Sequence, residues 1–157
     1  MQSARMSLKR SLALATSAAA LLLAACAKDA PPAPSLVGKP VDNFLLVDHQ
    51  GLAEKLKYHR NAPAVVLVAQ KNGDEGSRAA AKALAALKAQ YPAVDIKMIN
   101  SVVEDTRAAI AEEAKSQGFA VPVLDDEFQL IGDSLGFTYA GEAIAIDPRT
   151  WTIAYHG

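Results

Sequence analysis

Residues 64–101 read AVVLVAQKNGDEGSRAAAKALAALKAQYPAVDIKMINS, and their order of patterns decides the fold. Ala64 to Gln70 is a continuous apolar, β-branched run of strand length, as suits a strand buried on both faces. Lys71 to Gly76 breaks it. From Ser77 to Tyr91, Ala80, Leu84, Leu87 and Tyr91 recur at spacings of four, three and four, one helical face lying opposite Arg78, Lys82 and Lys88. Pro92 stops that helix, and Val94 to Ser101 is the next strand. Two strands joined through a helix in one sheet run parallel, with a right-handed crossover.

The flanks extend this unit. Downstream, Asp105 or Thr106 can cap a second helix running to Gln117, with Ile110 and Ala114 inward and Gly118 at its exit. After Pro122 to Asp125, a short turn or helical piece covers Gly132 to Phe137. Glu142 to Asp147 and Trp151 to His156 are apolar-rich strands around Pro148-Arg149-Thr150, a hairpin. Upstream, Asn43 to Val47 is a short strand that Asp48-His49-Gln50-Gly51 turns back into Leu52 to Tyr58. The order is hairpin, strand, helix, strand, helix, hairpin. It specifies an α/β domain with a mixed central sheet flanked by helices.

Composition narrows the function. With 157 residues, 51% hydrophobic and 21% charged, the chain has the apolar content of one folded domain and not of a disordered or fibrous protein. Its 16 basic and 17 acidic residues leave no surplus for a nucleic-acid-binding stripe. There is one cysteine, Cys26, which excludes an internal disulfide, a CxxC pair and a cysteine zinc site.

Residues 1–25 read as an export signal: Arg5, Lys9 and Arg10 form a basic start, and Ser11 to Ala25 carries no charge. That run is shorter than the about 20 apolar residues a membrane span needs. Its exit, Leu23-Ala24-Ala25-Cys26, resembles the lipobox of bacterial lipoproteins, which implies lipidation of Cys26, envelope anchoring and, with Ala27 next, the outer membrane. The other reading is an ordinary signal peptide with a free or buried cysteine. Residues 26–40, with Pro31, Pro32, Pro34, Gly38 and Pro40, read as a tether of extended polyproline geometry. Leu36 and Val37 alone favour packing of its end on the domain, which spans residues 41–157.

That domain resembles the thioredoxin-like fold in its redoxin, or peroxiredoxin-like (AhpC/TSA-type), elaboration. The residues carrying the resemblance are Phe44 to Gly51 (FLLVDHQG), Val121 to Asp125 (VPVLD), Leu135-Gly136-Phe137, and the hairpin from Ile146-Asp147-Pro148 to Ile153–Gly157. The family implies an antioxidant thiol site in the loop after the first core strand, at a helix N-terminus, where partial positive charge lowers a cysteine pKa. The matching loop, Lys71 to Arg78, has no cysteine and no PxxxTxxC motif; Asp74 and Glu75 stand at the thiol's place. Carboxylates there read first as a cap with an acidic first turn, and second as a former anion site turned to a cation or partner contact. The proline that the family places before its third core strand is also absent from Ala140-Gly141-Glu142, where a trans backbone is expected.

The remaining constellations are weaker. His49, His59 and His156 each fall by a strand end or turn and lack thiolate partners, so no metal is expected. Asp125-Asp126-Glu127 with Asp133 lacks EF-hand spacing, Ser77 and Ser134 lack a GxSxG context, and no cofactor motif is present. The leading expectation is an envelope-tethered redoxin-like domain without its thiol, acting as a binding or accessory module. The alternatives are an antioxidant oxidoreductase working with partner-supplied cysteines, and a truncated inactive product. The family's C-terminal covering helix has no counterpart after Trp151 to His156. An exposed strip over Val65, Leu67, Ile144, Ile146 and Ile153 is therefore expected, open to self-association or a protein partner, unless the segment around Leu36 and Val37 or the second helix covers it.

Overall fold

The computed structural model describes residues 35–157. Seven strands, β1 (Leu45–Asp48), β2 (Ala53–Lys55), β3 (Val65–Gln70), β4 (Asp95–Asn100), β5 (Val123–Asp125), β6 (Ala143–Asp147) and β7 (Thr152–His156), form one sheet in the order β2-β1-β5-β4-β3-β6-β7. The helices are α1 (Glu75–Gln90), α2 (Arg107–Gln117) and α3 (Leu130–Leu135), with a 3-10 turn at Leu56–His59. The fold class is as the sequence implies: β3 and β4 run parallel, and the two hairpins are antiparallel.

β5 departs from the expected order, which had no strand there. It pairs parallel with β4 and antiparallel with β1, so it joins the first hairpin to the core sheet. Three residues suffice because neighbours on both sides take its backbone hydrogen bonds, and a run that short has no readable period. Tyr91 also departs: it is the residue after α1, half-exposed, and the buried helical face is Ser77, Ala81 and Leu84 with Ala80 and Leu87 beside them.

The pleat of β3 builds both layers. Val66 and Val68 face α1 and α2, packing with Leu84, Ile96, Met98, Ile110 and Val123, while Val65 and Leu67 point to the opposite face. That second face corrects the expectation of an exposed strip. Val65, Leu67, Ile144, Ile146 and Ile153 are all buried, covered by Val41, Phe44, Leu56 and Leu135, with Leu36, Phe137 and Trp151 around them. A large aliphatic side chain gains about 1.5–3 kcal/mol on burial, which is ample to draw the preceding segment across.

Residues 35–40, expected as the end of a tether, are part of that cover. The Gly38 N–H donates to the Ile153 carbonyl (2.7 Å), Ile153 N–H to Lys39 (2.9 Å) and Val41 N–H to Trp151 (2.7 Å), and Pro40 bridges Thr152. Val37, by contrast, is exposed, and α2 stays on the other face. The export signal, Cys26 and residues 27–34 lie outside the described residues.

Candidate functional site

The parallel strands β3, β4 and β5 all end at one pole of the sheet. There an open cleft of about 410 Å³ is lined by Gln70, Lys71, Asp74, Ser101, Val102 and the segment Phe137–Ala140. Such carboxyl-end crevices are where open α/β sheets place their sites.

Asp74 caps α1, its Oδ1 accepting the Ser77 N–H at 2.7 Å. That backbone bond holds its carboxyl below the usual carboxylate value against partial desolvation, and Lys71 adds to the effect. Glu75, exposed in the first turn, faces solvent at the positive end of the helix. The cap reading of the pair is the one the geometry displays. The loop's other donors are committed as well: Lys71 N–H to Ser77 Oγ (3.0 Å), Asn72 N–H to Asp105 (2.9 Å), and Gly73 N–H to Glu113 (3.3 Å). Arg78 bonds the same Glu113 through Nε at 2.9 Å and holds its carboxyl down. The Asn72, Gly73 and Ser77 N–H groups thus each face a carboxylate.

The cleft's floor is a buried amide network that pattern reading missed. Asn100 donates from Nδ2 to Gln70 Oε1 (2.8 Å) and Asp105 Oδ2 (2.9 Å), and Gln70 donates to Asn72 (3.0 Å). The available signal was a polar residue closing each strand, Gln70 after VVLVA and Asn100 after Met98-Ile99.

Glu142 shapes the wall. Its buried carboxylate accepts the N–H groups of Thr138 (2.7 Å) and Tyr139 (3.4 Å) and pairs with His156. Burial pushes this carboxyl up, but the Thr138 donor and His156 outweigh it, and the net shift is downward. Gly141, at φ +90°, donates to Ala69 at 2.8 Å and so ties the wall to β3. A side chain at that backbone angle would be strained. The described residues contain no cis peptide bond.

The three histidines stay apart. His49 Nδ1 accepts the Val123 N–H (3.0 Å), His59 sits with Glu54, Asp95 and Lys97, and His156 holds Glu142. Among the described residues no group of three His, Cys, Asp or Glu is placed to hold a metal ion. In the acidic run, Asp126 is buried and fully engaged, accepting Ser101 Oγ (2.7 Å), Ile131 N–H (3.1 Å) and Gly132 N–H (2.8 Å).

No protein-family model and no curated protein matches the sequence. Solved structures do. A hypothetical protein of Sinorhizobium meliloti is similar at TM-score 0.70 and 23% identity, over 80% of this chain and 72% of that one. The peroxidoxin BcpB of Mycobacterium tuberculosis gives 0.64 and 19% over 74% and 81%. The thioredoxin domain of a thiol-disulfide oxidoreductase of Bacteroides vulgatus gives 0.66 and 12% over 76% and 86%. At these identities the likeness establishes the fold, which is thioredoxin-like.

Proposed function

We propose that this chain is an envelope-tethered redoxin-like domain without a thiol site, acting as a binding or accessory module. The observation that supports this most is the α1 N-terminus, where Asp74 caps the helix and the Asn72 and Gly73 N–H groups are taken by Asp105 and Glu113. The sequence's single cysteine lies at position 26, ahead of the domain. Thiol-disulfide exchange and thiol peroxidation both need a thiolate at the reacting centre. Without one, what the cleft retains is shape, a fixed wall and polar groups.

Asp74→Cys, made with Cys26→Ser so that one thiol is present, tests this reading. The introduced thiol is expected to titrate below the ordinary cysteine value of about 8.5, because it stands at a helix N-terminus. A thiol titrating at or above that value would show that the loop is no thiol position, and the reading would fail.

The tether is tested separately. Membrane fractionation and intact mass are expected to find lipid on Cys26, and Cys26→Ser is expected to leave unprocessed precursor. A soluble product beginning at Ala27 or later would contradict it. Stable anchoring takes two or more acyl chains, since one alone binds a bilayer reversibly.

A further inference from the structure

Beside the cleft, the β4–α2 and β5–α3 loops are bolted into one piece. Asp126, in the second loop, takes the Ser101 hydroxyl from the first and the Ile131 and Gly132 N–H groups at the start of α3. Gln129, held in the left-handed region at φ +59°, donates from Nε2 to the Ser101 carbonyl at 2.9 Å. A Cβ at Gly132 would collide with the Ser101 side chain, so the loops meet at closest approach.

This rigid piece displays what a soluble surface normally hides. Phe128 is 76% exposed, Leu130 67% and Val103 63%. Next to them runs a groove of about 490 Å³, walled by Val103, Ala108 and Ala111 and carrying the carboxylates Asp105, Asp125 and Glu127. Arg107 and His49 also line it. Glu104 stands exposed on the β4–α2 loop and Asp133 in the first turn of α3. Burial and the neighbouring Glu127 and Asp126 push the Asp125 carboxyl up, against the pull of Arg107. Three carboxylates against the single guanidinium of Arg107 leave the groove lining net negative, which favours an arriving cation.

We propose that this groove and its apolar rim form the docking surface for a protein partner's segment that bears basic and apolar side chains together. Apolar knobs held by a preorganised loop pair supply affinity at low ordering cost. The carboxylates select the sign of the partner's charge. The groove lies outside the Lys71–Arg78 loop and extends the site to a partner class. It rests on the binding-module reading, and its failure is distinguishable: thiol turnover by the same preparation would overturn that reading, whereas the peptide comparison overturns the partner class.

The test titrates the full-length chain with a labelled amphipathic peptide of lysine and leucine, alongside one with glutamate replacing lysine and one with serine replacing leucine. The lysine–leucine peptide is expected to bind roughly tenfold or more tightly than either control, and less tightly as salt rises. Phe128→Ser with Leu130→Ser, and separately Glu127→Lys, should each weaken it by roughly tenfold, a loss typical of a contact that matters. Tyr91→Ser, at the opposite pole, should change nothing. Equal binding of all three peptides, no binding, or full affinity in both the Phe128/Leu130 and Glu127 variants would overturn the proposal. So would phosphatidylglycerol vesicles that bind the parent chain and are lost with Phe128→Ser, since they would assign the surface to a membrane.

Discussion

Asp126→Ala is expected to lower the stability of the domain by about 3 kcal/mol or more. The carboxylate accepts Ser101 Oγ, Ile131 N–H and Gly132 N–H, and the side chain is buried. Each buried donor left unsatisfied costs about 1–3 kcal/mol, and Gly132 N–H has no route to water. Asp126→Asn keeps one acceptor oxygen and should recover part of the loss. Chemical denaturation of the two variants beside the parent checks this; parent-like stability in Asp126→Ala would show that the loops are held by other contacts. The same variant should raise amide exchange at Ile131 and Gly132.

Lys97→Met is the second large effect. Lys97 is buried in β4 and reaches Asp95, Glu54 (3.5 Å) and His59 (3.3 Å). Asp95 has a further buried oxygen, Oδ2, without a hydrogen-bond partner. Removing the cation leaves two carboxylates facing each other, held by His59 alone, and breaking a buried pair from one side costs about 3–5 kcal/mol. Substituting both ends by apolar residues of similar volume is often neutral. The double variant Lys97→Met, Asp95→Leu is therefore expected to return toward parental stability. A single variant that melts like the parent, or a double variant worse than the sum of its singles, would contradict this.

The elements that positioned the cleft were legible for a simple reason: period and punctuation coincide in them. The run AVVLVAQ, the break KNGDEG and the Leu84–Leu87 stripe give β3, its loop and α1, with Asp74 readable as a cap. Thr106 and Gly118 bracket α2 as their types suggest, Gly118 closing it at φ +64°. What escaped was non-local. β5 is too short to have a period, and its partners lie more than twenty residues away in β4 and far upstream in β1. The strip over Ile144, Ile146 and Ile153 is covered by Phe44, Leu56 and Leu135 from separate elements and, at its edge, by Leu36 of a segment that the prolines before it make read as a linker. Three backbone hydrogen bonds to Trp151 and Ile153 hold that segment, and composition does not encode them.

The site divides the same way. Asp74 and Glu75 could be placed because a loop between a strand and a helix has a fixed address in the fold. Gln70, Asn100, Asp126 and Glu142 could not, because each is defined by partners from a second or third element. A buried carboxylate in a strand-end sequence such as DDEF looks like solvated charge until the donors of Ser101 and Gly132 are seen around it.

The proposed absence of thiol chemistry is tested most directly by turnover. The full-length chain, assayed for reduction of insulin disulfides and for consumption of hydrogen peroxide with a thiol donor, is expected to match a protein-free control in both. Turnover well above that control, abolished by no change at Cys26, would contradict the account and place a reactive centre in the domain itself.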